Sequence, residues 1–236
     1  MRKGIIMTIR MAVKIGVKNK KSTYNFQLSI VNCILSFFIY FLVAPTSAQT
    51  TKIDSLRTAL TKAKEDSNKV NLLNSLAWEL STSNPDTSIL LSTEALRTAE
   101  KIKIASLRGT KQPCSQGIAN SLKNLGWFNY LKGNYPLALD YYNKALIIYQ
   151  TLKDKKGISA TLGNIGVVYH QQGNYPKALG HHFKALEIDR ELENKSGIAR
   201  HLGNIGIVYT EQSDYPKALE HYFKALEIAE ELGDKH

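Results

Sequence analysis

From residue 53 onward, apolar side chains return every three or four positions, and short polar turns interrupt them at regular distances. Ile53, Leu56 and Leu60 share one helical face and predict a leading cap helix within 49–66. Further on, Leu162, Ile165, Gly166 and Tyr169 trace a stripe that ends at Gly173-Asn174. A second stripe follows through Ala178, Phe183, Ala185, Leu186 and Ile188, with Phe183 expected to fill gaps between larger neighbours. Asn174 and Asp214 are placed to cap the second helix, because their side-chain oxygens accept from its free N–H groups. Pro176 and Pro216 fall in that helix's first turn, where a missing N–H costs nothing. The unit is a pair of antiparallel helices.

The pair recurs. Residues 163–192 and 203–232 agree at 21 of 30 positions, and a third copy reads "NLGWFNYLKGNYPLALDYYNKALIIYQTL". Equivalent residues step by forty, as in Gly126, Gly166 and Gly206, or Ala145, Ala185 and Ala225. Such a period marks a repeat architecture. The small residues let backbones approach, and one hairpin cannot bury both faces, so copies must stack. A degenerate copy occupies 67–104, where "NSLAWEL" matches a first helix and "EALRTAEKI" a second. The divisions are therefore 67–104, a surface loop over 105–116, then 117–156, 157–196 and 197–236. The last helix repeats the apolar pattern of internal ones, although terminal repeats normally turn a polar face outward; the chain reads as a piece of a longer protein.

The spacing Leu202, Ile205-Gly206, Tyr209, Ala218, Tyr222, Ala225 resembles the tetratricopeptide repeat signature. The usual leading Trp is Leu122, Leu162 or Leu202, and the period is forty rather than thirty-four, which is similar to the longer variety with extended helices. The resemblance implies an all-α fold, an α-solenoid wound as a right-handed superhelix. It also implies that first helices line the concave side and grip a peptide or partner protein there.

The net charge of +11 matters less than its distribution. Residues 1–48 hold seven basic side chains and no acid, which leaves +4 spread over the remaining 188 residues. No basic stripe stands out there, so no nucleic-acid partner is expected. The basic start leads into an apolar run from Ile30 to Ala44, then Thr46-Ser47-Ala48. That order reads as an export signal cleaved after Ala48, with an uncleaved anchor as the alternative and Met7 or Met11 as alternative starts. The protein is then periplasmic or otherwise extracytoplasmic. Membrane association would come only through that segment or through a segment beyond residue 236. Cys114 remains alone in the exported part, so no intrachain disulfide forms, and beside Pro113 it reads as an ordinary loop thiol, with an intermolecular bridge as the alternative.

No P-loop, G-x-S-x-G or H-E-x-x-H motif is present. His181 and His221 are equivalent positions one repeat apart, roughly 10 Å distant on stacked helices. His182 stands where Tyr222 stands in the next copy. No metal site, catalytic residue or cofactor is expected. The chain is read as a non-enzyme.

The family resemblance places a binding face on the inner positions of the first helices. These are Asn120, Lys123, Asn124, Trp127 and Tyr130; then Asn164, Val167, His170 and Gln171; then Arg200, Asn204, Ile207, Thr210 and Glu211. Asn124, Asn164 and Asn204 recur at one place, and a side-chain amide can pair with a peptide backbone of any sequence. They serve equally well as bonds to the neighbouring repeat. Trp127 and Tyr130 are anchor types, or packing against the degenerate copy. Gly163 and Gly203 stand at the place of Lys123, so capture of a C-terminal carboxylate by a set of basic residues is not expected. An export signal followed by such an array resembles the sensor half of bacterial membrane signalling proteins. In those, a kinase, cyclase or DNA-binding output follows the array.

Overall fold

The computed structural model describes residues 47–106 and 114–233. The export-signal reading of 1–48 falls outside these residues, apart from Ser47 and Ala48. The described elements are helices α1 (Ser47–Thr61), α2 (Ser67–Glu79), α3 (Pro85–Ser106), α4 (Ser115–Leu131), α5 (Tyr135–Thr151), α6 (Lys155–Gln171), α7 (Tyr175–Glu191), α8 (Lys195–Glu211) and α9 (Tyr215–Gly233). Lys52 onward forms one compact unit, and the description below concerns that unit.

From α4 onward each helix but the last has 17 residues, and three residues join it to the next. The turns share one device. Gly133 and Gly173 (φ 76° and 70°) and also Lys153, Glu193 and Ser213 (φ 52° to 60°) adopt the left-handed conformation that closes a helix C-terminus. The following N–H returns to a carbonyl five residues back, as from Asn174 to Tyr169 at 2.9 Å. That same residue then opens the next helix: Asn174 accepts from the Lys177 N–H, Asp214 from Lys217, Asp154 from Gly157 and Asn194 from Gly197. Asn134 makes no such side-chain bond.

The helices pair as α2·α3, α4·α5, α6·α7 and α8·α9, and each second helix packs on the next first helix. Glycine sets the closeness inside each hairpin. A Cβ on Gly126 would lie 2.6 Å from the Tyr142 ring, on Gly166 2.8 Å from His182 and on Gly206 2.6 Å from Tyr222. Tyr142, Tyr149, Phe128, Ile165 and Ile205 are fully buried between the layers. First helices also touch their counterparts, α2·α4, α4·α6 and α6·α8, whereas second helices do not meet one another among the described residues. A stack crowded on one side and spread on the other bends toward the crowded side. The first helices therefore occupy the inside of the bend.

Three expectations change. Phe183 is 40 % exposed and meets the next repeat edge-on, with its ring 6.0 Å from that of His221, so it is not a core filler. Cys114 is buried in the first core cluster with Val70, Leu73 and Ile118, because the chain turns inward there to start α4. An intermolecular bridge from that sulfur would require opening the core. Helices also reach into 105–116 from both sides, since α3 runs to Ser106 and α4 begins at Ser115.

Candidate functional site

One residue per first helix builds an apolar row on the inside of the bend: Trp78, Trp127, Val167 and Ile207. Trp78 is 48 % exposed, Ile207 is exposed, and Trp127 and Val167 are half-buried. A helix presents the same face every three to four residues, so a second row lies one turn further on: Tyr130, His170 and Thr210. The rings connect. Trp78 lies 6.1 Å from Trp127, Trp127 stacks on Tyr130 at 5.2 Å, and Tyr130 lies 6.0 Å from Tyr135 at the start of α5. His170 and Tyr175 repeat the last contact at 6.1 Å. Trp127 thus packs against the degenerate copy and still belongs to an accessible aromatic ladder. Trp78 and Tyr135 were not foreseen as part of it. The signal was available, since Trp78 follows Leu76-Ala77 as Trp127 follows Leu125-Gly126.

The asparagine row divides. Asn124 is buried, and its amide donates to the Asn74 carbonyl at 3.2 Å, so it joins α4 to α2. Asn164 is half-buried and approaches the Tyr142 hydroxyl without completing a hydrogen bond. Asn204 is likewise half-buried, on α8. Asn120 accepts from the Tyr149 hydroxyl at 2.6 Å. Gln171 is exposed and within reach of the Tyr130 hydroxyl, whose pKa burial raises. Glu211 is exposed at the end of α8 and lies near His170, whose pKa burial lowers.

Lys123 is half-buried. Burial lowers its pKa, Asp154 partly opposes this, and the Arg200 charge adds to the lowering. Asp154 is engaged elsewhere, capping α6 and accepting from Gln116 at 2.8 Å. Arg200 is exposed, with a polar contact to His201 at 3.4 Å. The inner face therefore combines aromatic and aliphatic surface, amides and two cations.

Behind this face lies a buried polar cluster that the sequence did not announce. Ser159 donates to Asp189 Oδ2 at 2.8 Å, Asn194 donates to Asp189 Oδ1 at 2.8 Å, and His201 Nε2 lies 3.1 Å from Asp189 Oδ2. A carboxylate only accepts, so His201 carries its proton on Nε2. Ser159, Asp189 and His201 are each 1 % exposed. Serine and carboxylate meet the same ring nitrogen, whereas a nucleophilic triad needs them on opposite ones. The cluster is packing. It replaces the arrangement one repeat earlier, where Tyr149 stands for Asp189, Gly157 for Gly197 and Thr161 for His201. A large ring on the second helix against a small residue on the first becomes a small residue against a large ring, which conserves volume.

Among the described residues no group of three His, Cys, Asp or Glu could hold a metal ion, and no helix is long and apolar enough to cross a membrane.

Helix hairpins stacked with their first helices inside the bend define the class, an α-solenoid of short repeats. Residues 157–231 match the tetratricopeptide repeat model. Solved structures share the fold. BtubC from P. vanneervenii aligns over 97 % of this chain and 92 % of its own at 19 % identity, with a TM-score of 0.64. A Rap protein complexed with Competence and Sporulation Factor aligns over 80 % of this chain at 20 % identity and a TM-score of 0.69. The Rap conjugation gene regulator of plasmid pLS20, in complex with the Phr* peptide, aligns over 79 % at 16 % identity and a TM-score of 0.67. This chain covers 51 % and 50 % of those two Rap chains. No curated protein matches the sequence.

Proposed function

We propose that this protein is a non-catalytic interaction scaffold that holds an extended peptide or a partner helix along the inside of the bend. The observation that carries the reading is the ladder Trp78–Trp127–Tyr130–Tyr135, continued by Val167 and Ile207. Partly exposed aromatic rings on a rigid helical layer give large contact area at little entropic cost, which is what binding anchors need. The half-buried amides of Asn164 and Asn204 lie on the same layer, where a peptide backbone could pair with them. The Rap structures solved with Competence and Sporulation Factor and with the Phr* peptide support a peptide-sized ligand for this fold.

The test is a random 12-residue peptide array probed with the purified chain, followed by titration of the best binder. Trp78→Ala with Trp127→Ala should weaken binding at least about thirtyfold, the effect of losing a hot-spot anchor of ~2 kcal/mol. The far-ultraviolet circular dichroism should stay unchanged. Undiminished affinity in a folded double variant moves the site elsewhere.

We further propose that the array works outside the cytoplasm, on the strength of the basic, apolar and small-residue order of residues 1–48. Amino-terminal sequencing of envelope protein should begin at Gln49; a start at Met1, Met7 or Met11 in soluble extract refutes it. A second reading makes the array the sensory part of a signalling protein whose output lies beyond residue 236. It draws on α9, where Tyr222, Ala225 and Leu226 are half-covered although Tyr142, Ala145 and Leu186 in equivalent or neighbouring rows are buried.

A further inference from the structure

Among the described residues, the junction of α6, α7 and α8 is the one place where two imidazoles are sealed together. His182 and His201 are each 1 % exposed, and their ring centroids lie 5.9 Å apart. Each ring fills the space left by a glycine on α6. A Cβ on Gly166 would lie 2.8 Å from His182, and a Cβ on Gly163 2.5 Å from His201. His201 donates a hydrogen bond from Nε2–H to Asp189, so an added proton must go to Nδ1, and that nitrogen is buried without a hydrogen-bond partner. Nδ1 of His182 is buried in the same condition.

The charges around the pair oppose a second proton. His182 faces His201 and Arg200 from α8, His170 from α6 and His181 from its own helix. His201 faces Arg200 and Asp189. Asp189 is the one acid near the pair, and it already accepts from Ser159, Asn194 and His201. A proton on His182 would be a buried charge with no acid beside it, which is costly, whereas on His201 it would meet Asp189, whose pull only partly offsets burial and Arg200.

We propose that this histidine pair is an acid-sensitive joint, closed near neutral pH and opened by protonation, which releases the α8–α9 hairpin from α6–α7 while the earlier repeats stay folded. The release would remove Arg200, Asn204 and Ile207 from the inner face, so acidification would shorten the surface that a partner can use. The direction of titration agrees. Burial first, then neighbouring cations, lower His182 to about 3, and burial with Arg200 lowers His201 to about 4 against the opposing pull of Asp189. The released state takes up protons near the ordinary 6.5, so opening becomes easier as pH falls below that value. Each ring should raise the opening equilibrium roughly twentyfold between pH 7 and pH 5.

The chain supplies its own controls. His182→Tyr installs the residue found at the equivalent positions 142 and 222, and Asp189→Tyr with His201→Thr transplants the pair Tyr149 and Thr161. Hydrogen exchange of the full chain at pH 7 and pH 5, corrected for the intrinsic pH dependence of exchange, should show protection falling in α8 and α9 by a hundredfold or more. Protection in α4 and α5 should be unchanged. His182→Tyr should cut that acid response by roughly twentyfold, and the double variant likewise. Equal loss along all helices, or an undiminished response in His182→Tyr, overturns the proposal. If the double variant does not fold, the ring-proton titrations of the unmodified chain decide: both rings neutral well below pH 6 support the joint, and titration of both near 6.5 sinks it.

Discussion

Single residues show most directly how closely the repeats are fitted. Gly126, Gly166 and Gly206 face Tyr142, His182 and Tyr222. Gly126→Ala should destabilise the chain by ~1–3 kcal/mol, because Tyr142 is fully buried and cannot yield. Gly180 lies mid-helix in α7, with open space where its Cβ would be. Gly180→Ala should instead stabilise by up to ~1 kcal/mol through helix propensity. Chemical denaturation of the two variants gives opposite signs if this packing is right. The same comparison explains what was legible in the sequence. Forty-residue spacing exposed the glycine row without coordinates. It did not separate Asn124, which bonds Asn74, from Asn164, which lies by Tyr142, because identical letters meet different neighbours.

At the scale of the helix, the punctuation is local chemistry and was readable in advance. Asn174 and Asp214 cap as their positions require, and each turn from α4 to α9 uses a left-handed residue, even where that residue is Lys153, Glu193 or Ser213. Asp154 does more than its counterparts. It caps α6 through Gly157 and also receives Gln116 from α4, which ties two repeats together. Asp154→Ala should cost about 1 kcal/mol, the usual worth of an N-cap, and lower Tm by roughly 2–4 °C for a chain of this size. A Gln116→Ala variant that lowers Tm as much would assign the effect to the inter-repeat bond instead. The boundaries that sequence reading missed, the length of α3 and the inward turn at Cys114, lie where the repeat period breaks and no neighbouring copy calibrates the register.

For the stack as a whole, stability is a sum over repeats and the interfaces between them, so it should vary along the chain. The central repeats are covered on both sides. α9 is covered on one, with Tyr222 half-buried where Tyr142 is fully buried. Hydrogen exchange at neutral pH should show slow amides in α4 to α7 and progressively faster ones through α9. Uniform protection across all helices would contradict a nearest-neighbour stack. This gradient is distinct from the acid response, which depends on His182 and His201 and disappears with them.

The sequence by itself determined the helices, their caps, the hairpin unit and the need to stack, because each follows from contacts between residues close in the chain or one repeat apart. Tertiary structure decided the rest. It turned Phe183 outward, spent Asn124 on a neighbour, drew Trp78 into one ladder with Trp127 and sealed Asp189 against His201. Those outcomes depend on which side chains from different repeats arrive at one point, and a period along the chain records equivalence of position, not identity of surroundings.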